Sequence, residues 1–269
     1  MRMPFELFVA LRYLFSRRKQ TFIYIISIMS ILGVALGVGA LVVVLGVYNG
    51  LTTDMRDKII GANAHGIVMS YVPAAFQQHP DLVRRVEAVE HVRGATPFIY
   101  TEVMLSAAGG VKGLVLRGID PESAPKVLSM LREIRRGSVT DLKREGTPGI
   151  VIGEELAKRL GIGLGSRVNL LSPSGEKGAT GYSPRIRPFE VVGIFKTGMF
   201  EYDATLAFVD LKAARDILGL PDGFLTGIEI MVDDVYKADV IEQYGTGIPR
   251  IKETCEAAGV SFKFEQTVT

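Results

Sequence analysis

The chain has 269 residues, a formal net charge of +2 and a sequence pI near 8.6, a balance too mild for a nucleic-acid-binding surface. Its one cysteine, Cys255, excludes an intrachain disulfide. The length suffices for one sizeable folded domain in addition to a membrane anchor.

The first element in chain order is Pro4 to Phe15, PFELFVALRYLF, followed by Ser16-Arg17-Arg18-Lys19. Its apolar and amphipathic character predicts a short helix lying along a membrane surface, its basic end held by anionic headgroups. The plainer alternative is a juxtamembrane helix that only anchors.

Thr21 to Tyr48 follows, TFIYIISIMSILGVALGVGALVVVLGVY, without a charged residue, Asn, Gln, His or Pro. As a helix it would be about 42 Å long at 1.5 Å per residue, against a hydrocarbon core of about 30 Å. No other stretch approaches it, which predicts a single span. A cleaved signal peptide would have a much shorter apolar core and a small-residue cleavage site. A buried helix of a soluble core is rarely apolar all round over such a length. Residues 1–20 carry five basic side chains against Glu6, whereas residues 49–62 balance Asp54 and Asp57 against Arg56 and Lys58. The positive-inside rule then places residues 1–20 in the cytoplasm and everything after Tyr48 outside. With Trp absent, Phe22 and Tyr24 are the candidate inner belt and Tyr48 the outer. The outer portion is Cys-poor, which fits a bacterial periplasm, where disulfides are optional.

Within the span, Gly33-x-x-x-Gly37 is the spacing that lets a second helix approach closely, although glycine is also simply frequent in membrane helices. Past Asn49-Gly50, Leu51, Met55, Ile59 and Ile60 keep helical spacing. The helix is therefore expected to continue as a stalk to about Ile60 and to stop at Gly61.

Residues 62–240 read as an α+β domain of strand–helix–strand units and antiparallel pairs. The predicted strands are Gly66–Tyr71, Ala95–Ala107, Val111–Ile119, Gly149–Ile152, Arg167–Leu171, Phe189–Ile194, Leu206–Val209 and Leu225–Val232. Ala95–Ala107 and Val111–Ile119 are expected to pair around Gly109-Gly110. The predicted helices are Asp81–Glu90, with Leu82, Val83, Val86 and Val89 inward, Pro125–Ile134, Glu154–Leu160 capped by Gly161, and Leu211–Leu218. Ser172 to Pro188, SPSGEKGATGYSPRIRP, has three Pro, three Gly and three basic residues against Glu176. A loop of that length is often functional. It either projects as a hairpin between its flanking strands or is a mobile decoration.

Signals for chemistry are weak. Gly161-Ile-Gly163-Leu-Gly165-Ser166 lacks the Lys-Ser/Thr ending of a phosphate loop and runs from helix to strand, the reverse of what that loop requires. His65, His79 and His91 lack metal-ligand spacing, so no metal site is expected. No G-x-S-x-G motif occurs, and Asp233-Asp234 reads as a turn at a strand end. The chain is not expected to be an enzyme.

Separated blocks, in a fixed order, carry a specific resemblance. FELFVALRYLFSRRKQTFIYIIS, GVALGVGALVVVLGVYNG and MRDKIIGANAH, then PGIVIGEELAKRLGIGLGSRVNLLSP and FEVVGIFKTGMFEYDATLAFVDL, resemble the permease subunits of the lipoprotein-releasing ABC transporter, the LolC/LolE family. The resemblance covers roughly residues 4–235. It implies a MacB-like permease: one membrane helix, a periplasmic domain, then three more membrane helices. It further implies two permease subunits and a cytoplasmic ATPase dimer, which extract lipoproteins from the inner membrane and pass them to a periplasmic carrier. ATP would be bound by the separate ATPase, so no cofactor is expected on this chain. By the same resemblance Val43, Val44, Val47, Tyr48 and Leu51 would face the lipid cargo, and Gly33 and Gly37 would pack against other helices. Relatives commonly have Met-Asn-Gly-Phe where this chain has Tyr48-Asn49-Gly50-Leu51. The loop lies where one family member carries the hook that recruits the carrier, which makes Pro173, Lys177, Tyr182, Pro184, Arg185 and Arg187 the candidate contacts.

After about Asp239 the resemblance calls for a second membrane helix, and the sequence departs from it. Residues 241–269 instead include YGTGIPRIKETCEAAG, similar to a C-terminal segment of divergent AAA-type regulators. There Pro249 to Ala258 is predicted to be helical, with Gly259 as its cap. The organisation expected is a basic segment (1–20), span (21–48), stalk (49–61), periplasmic domain (62–240) and atypical tail (241–269): the N-terminal portion of a permease. Two further readings are a single-span periplasmic scaffold that recruits a carrier, and a MacB-like exporter subunit for another cargo.

Overall fold

The computed structural model describes residues 5–14, 21–69, 81–89, 91–132, 134–178, 181–233 and 263–266. It divides into two units, Met1–Arg56 and Asp57–Thr269. The first holds α1 (Phe5–Leu14) and most of α2 (Thr21–Ala62), a helix of 42 residues. Within α2, Tyr24–Met55 is long and apolar enough to cross a membrane. The helix continues through the predicted stalk and ends one residue past Gly61.

Among the described residues the second unit is built on ten strands: β1 (Gly66–Met69), β2 (Val92–Ala107), β3 (Gly110–Ile119), β4 (Ile134–Gly137), β5 (Gly149–Gly153), β6 (Arg167–Gly178), β7 (Gly181–Phe195), β8 (Leu206–Asp210), β9 (Gly227–Val232) and β10 (Lys263–Gln266). Six of them close a ring. β2 pairs with β3, β3 with β8, β8 with β5, β5 with β7, β7 with β6, and β6 returns to β2. Closure removes the free edges these strands would otherwise expose. β2 can serve two partners on one side because it is 16 residues long: its first half pairs with β9 and its second half with β6.

Alternation decides what fills the ring. Ile99, Val103 and Leu105 of β2 and Leu114 and Leu116 of β3 point inward with Leu170, Phe189, Val191, Ile150 and Val209, all buried. Helices α5 (Glu154–Leu160) and α7 (Leu211–Leu218) add Leu156, Leu160, Ala214 and Ile217 to the same core. Gly118 admits α7, since a Cβ there would lie 2.5 Å from the Ala214 Cβ. Asp210 caps α7 by accepting from the Lys212 N–H at 2.9 Å. On the outside of the ring Phe208, Phe195, Ile119 and Val151 pack beneath α4 (Ala124–Val127) and the 3₁₀ turn Ser129–Leu131. A third cluster joins Leu82 and Val86 of α3 (Leu82–Glu87) to Val68, Ala95, Ile228 and Ile230, in the order β1-β9-β2.

The α+β reading holds, and most predicted elements form near their predicted bounds. Pro125–Ile134 is a correction. Only Ala124–Val127 is α-helical; Leu128 is extended at φ −101°, ψ 104°, and Ile134 begins an edge strand opposite Phe195. The helix stops because Arg132 turns back, donating to Pro125 O at 2.5 Å and Lys126 O at 2.7 Å, which satisfies carbonyls a longer helix would have used. The tail also differs from the reading: Lys263–Gln266 pairs antiparallel with β1 from Met69 to Gly66. The predicted helix Pro249–Ala258 and Cys255 lie outside the described residues.

Candidate cargo helix and projecting hairpin

The predicted cargo-facing residues all lie on α2 and are exposed: Val43, Val44, Val47, Tyr48 and Leu51. Val44, Val47, Tyr48 and Leu51 stand at i, i+3, i+4 and i+7, so they share one face. Gly33 and Gly37 continue that stripe toward the N-terminus, and a Cβ built on either would meet nothing within 4 Å. The face is smooth at the glycines and branched-apolar further along. It has the surface chemistry for another membrane helix or for acyl chains.

The second candidate is the hairpin of β6 and β7. Its root is fixed by the core, where Val168, Leu170 and Phe189 are buried and Leu171 still pairs with Met104 of β2. Beyond Ser172↔Arg185 the two strands pair only with each other, through Glu176↔Ser183 and Lys177↔Tyr182 to Gly178↔Gly181. A bulge between Ser172 and Glu176 places two extra residues on β6, the kind of kink that re-aims a strand. Six residues of strand reach up to about 20 Å. Of the two readings of this segment, the structure takes the hairpin between the flanking strands.

Pro173, Pro184 and Arg187 are exposed here, as the carrier-contact reading requires. The side chains of Lys177 and Tyr182 lie outside the described part. Arg185 is half-buried, and its guanidinium occupies the space that a Cβ on Gly219 would take. Gly219 is the left-handed cap of α7, at φ 66°. A cation at a helix C-terminus is favoured by the helix dipole and by the free carbonyls, so Arg185 braces the hairpin against the domain.

The sequence reading missed the surface at the hairpin root. Met104, Leu171 and Ile186 are register partners across β2, β6 and β7, and Met104 and Ile186 are about half exposed. A groove of about 570 Å³ opens there, lined by Glu102, Met104, Val115, Leu171, Pro173 and Pro184. Its size and apolar lining fall within the range of ligand sites. The available signal was a broken alternation: Met104 stands on the outward face between Glu102 and Ser106, and Ile186 between two arginines.

The remaining candidates have structural partners. Gly163 N–H donates to Ser166 Oγ at 3.0 Å and Gly165 N–H to Val191 O at 2.8 Å, so the glycine-rich turn is occupied in leading α5 into β6. His65 is buried, with Nδ1 3.3 Å from the Val232 N–H, and burial holds its pKa below the ordinary value. His91, at φ 70°, pairs with Asp233 at 3.0 Å, a carboxylate partner the sequence did not reveal. No group of three metal-ligating side chains occurs among the described residues, and His79 lies outside them.

The profile of the MacB-like periplasmic core domain matches residues 27–244. Lipoprotein-releasing system transmembrane protein LolC of Neisseria meningitidis serogroup B is 32% identical over 236 residues, covering 88% of this chain and 56% of that protein. LolC of Xylella fastidiosa is 33% identical over 233 residues, covering 86% and 55%. LolE of Haemophilus influenzae is 25% identical over 242 residues, covering 88% and 57%. The chain thus spans little more than half the length of these relatives. With the profile match extending over most of its length, the chain belongs to the family of the MacB-like periplasmic core domain.

Proposed function

We propose that this chain serves as a permease subunit of an ABC transporter that releases lipoproteins from the inner membrane. The observation that carries the reading is the self-paired hairpin Ser172–Arg185, standing beyond the sheet with exposed prolines and an apolar groove at its root. A rigid projecting strand pair offers a partner a preformed surface at low ordering cost. On this reading the hairpin engages the periplasmic carrier and α2 offers its Val44–Leu51 face to the acyl chains. α1 lies on the cytoplasmic side, and a second permease subunit packs at Gly33 and Gly37. Each buried methylene of a lipid anchor holds the cargo by about 0.8 kcal/mol, so extraction needs an energy source. A cytoplasmic ATPase dimer supplies it, and the ATP is bound there.

The test places a photocrosslinking amino acid at Val44 or Tyr48 in cells that express a lipidated reporter. Adducts should form with the lipidated reporter and be absent when its lipidation cysteine is replaced by serine. Equal adducts with both forms would contradict a lipid-facing role.

A further inference from the structure

A second concavity, of about 420 Å³, shares no lining residue with the groove at the hairpin root. Its charged walls are Arg135 and Arg136 of β4, Glu154 and Lys158 of α5, and Lys196 just after β7; Ala157, Ile162 and Ile194 are among its apolar lining. Four cations therefore converge with one carboxylate. The internal pairing is uneven. Lys196 Nζ stands 2.7 Å from Glu154 Oε2, and Lys158 Nζ lies 3.5 Å from that same oxygen and 2.8 Å from Glu155 Oε1. The Lys196 hydrogen bond, ahead of other causes, holds the Glu154 carboxyl below its usual range. The two lysines are thus matched by two carboxylates, whereas Arg135 and Arg136 have no carboxylate within pairing distance among the described residues.

Edge-strand arginines discourage sheet-to-sheet pairing, and β4 is the last strand of the sheet order. That accounts for exposed charge on β4. It does not account for a concave site in which that charge meets cations from a helix and from the end of a different strand. Two adjacent guanidiniums present fork-shaped donors suited to the oxygens of phosphate, and the lysines add point charges beside them.

We infer that this cavity is an anion site that takes a phosphate-type oxyanion, either the headgroup of an anionic phospholipid or a free phosphate. The inference does not depend on the proposed lipoprotein cargo. The guanidiniums of Arg135 and Arg136 clamp the anion, and Glu154 holds the lysines in place while weakening the field the anion meets.

The test uses the full chain in phosphatidylcholine nanodiscs and titrates two probes by calorimetry, inorganic pyrophosphate and monomeric dihexanoyl phosphatidylglycerol. At least one should bind saturably, and Arg135→Gln/Arg136→Gln should weaken it about tenfold or more, as loss of a charge-assisted bond requires. Glu154→Gln should tighten binding by about two- to threefold, the scale of an exposed charge. Arg144→Gln, which removes the Arg144–Glu190 pair outside the cavity, should leave binding unchanged. Binding of pyrophosphate alone identifies free phosphate as the ligand; binding of the lipid alone identifies the headgroup. Saturable binding of neither probe overturns the inference. So does equal affinity in the arginine double variant, or an equal loss in Arg144→Gln.

Discussion

Asn63 donates from Nδ2 to the hydroxyl of Tyr202 at 2.8 Å, joining the first residue after the long helix to α6 (Phe200–Thr205). α6 is held in turn by Asp203, whose carboxylate accepts from Thr197 N–H at 2.8 Å and Gly198 N–H at 3.2 Å. The point at which the chain enters the domain is thus tied to the segment that crosses from β7 to β8.

Removing the Tyr202 hydroxyl should loosen that tie without disturbing the ring. Tyr202→Phe is expected to cost about 0.5–1.5 kcal/mol, the net value of one hydrogen bond. Hydrogen exchange should rise at residues 63–65 while the protection of β3 and β8 stays unchanged.

Arg117 and Glu229 form a buried ion pair that bridges β3 and β9 across β2. The Arg117 guanidinium also stands 5.9 Å from the centre of the Phe208 ring. Burial raises the Glu229 carboxyl above its usual range, and Arg117 opposes that shift. Breaking such a pair leaves one charge buried alone. Arg117→Met should therefore cost about 3–5 kcal/mol, and adding Glu229→Leu should restore most of the loss. Urea midpoints of the three proteins check this; a double variant no more stable than Arg117→Met would show the pair to be irreplaceable.

How legible the fold was depended on how local its signals were. The β2–β3 hairpin, the Gly161 cap and the Leu211–Leu218 helix follow from alternation, a left-handed glycine and an apolar stripe, all contained in short windows. The closing of the ring was hidden, because it rests on the second half of β2 meeting β6 more than sixty residues later. The Arg117–Glu229 pair was hidden for the same reason, since each residue looks solvent-facing in its own strand. The hairpin was half legible: its composition marked a long polar segment between two strands, but the pairing past Ser172 depends on a bulge that absorbs Pro173. Arg185 was placed among the partner contacts by its position in the loop, and only the position of Gly219 shows what it braces.

His65 makes stability depend on pH. Its folded pKa is lowered, by burial first and against the backbone contact to Val232, from the ordinary 6.5. The unfolded chain therefore binds the proton more readily. The stabilisation is present above pH 6.5 and is lost as pH falls below it toward the folded pKa. Thermal midpoints taken between pH 7.5 and pH 5 should fall more steeply for the wild type than for His65→Gln; identical slopes would contradict this.

Arg185 offers a test of the hairpin's rigidity. Arg185→Ala removes the cation from the α7 terminus and should cost about 0.3–1 kcal/mol. Exchange should quicken at residues 183–187 ahead of the ring strands. Uniform change across the domain would mean that the guanidinium braces nothing local.

The central claim, a permease subunit that meets its carrier through the projecting hairpin, is most directly tested by site-specific photocrosslinking in living cells. A crosslinker placed at Lys177, at the hairpin end, or at Pro184, at its root, should capture the periplasmic lipoprotein carrier. One placed at Glu87, an exposed position on α3, which packs over β1, β9 and β2, should not. Absence of a carrier adduct at both hairpin positions, with the protein present in the membrane, would contradict the account.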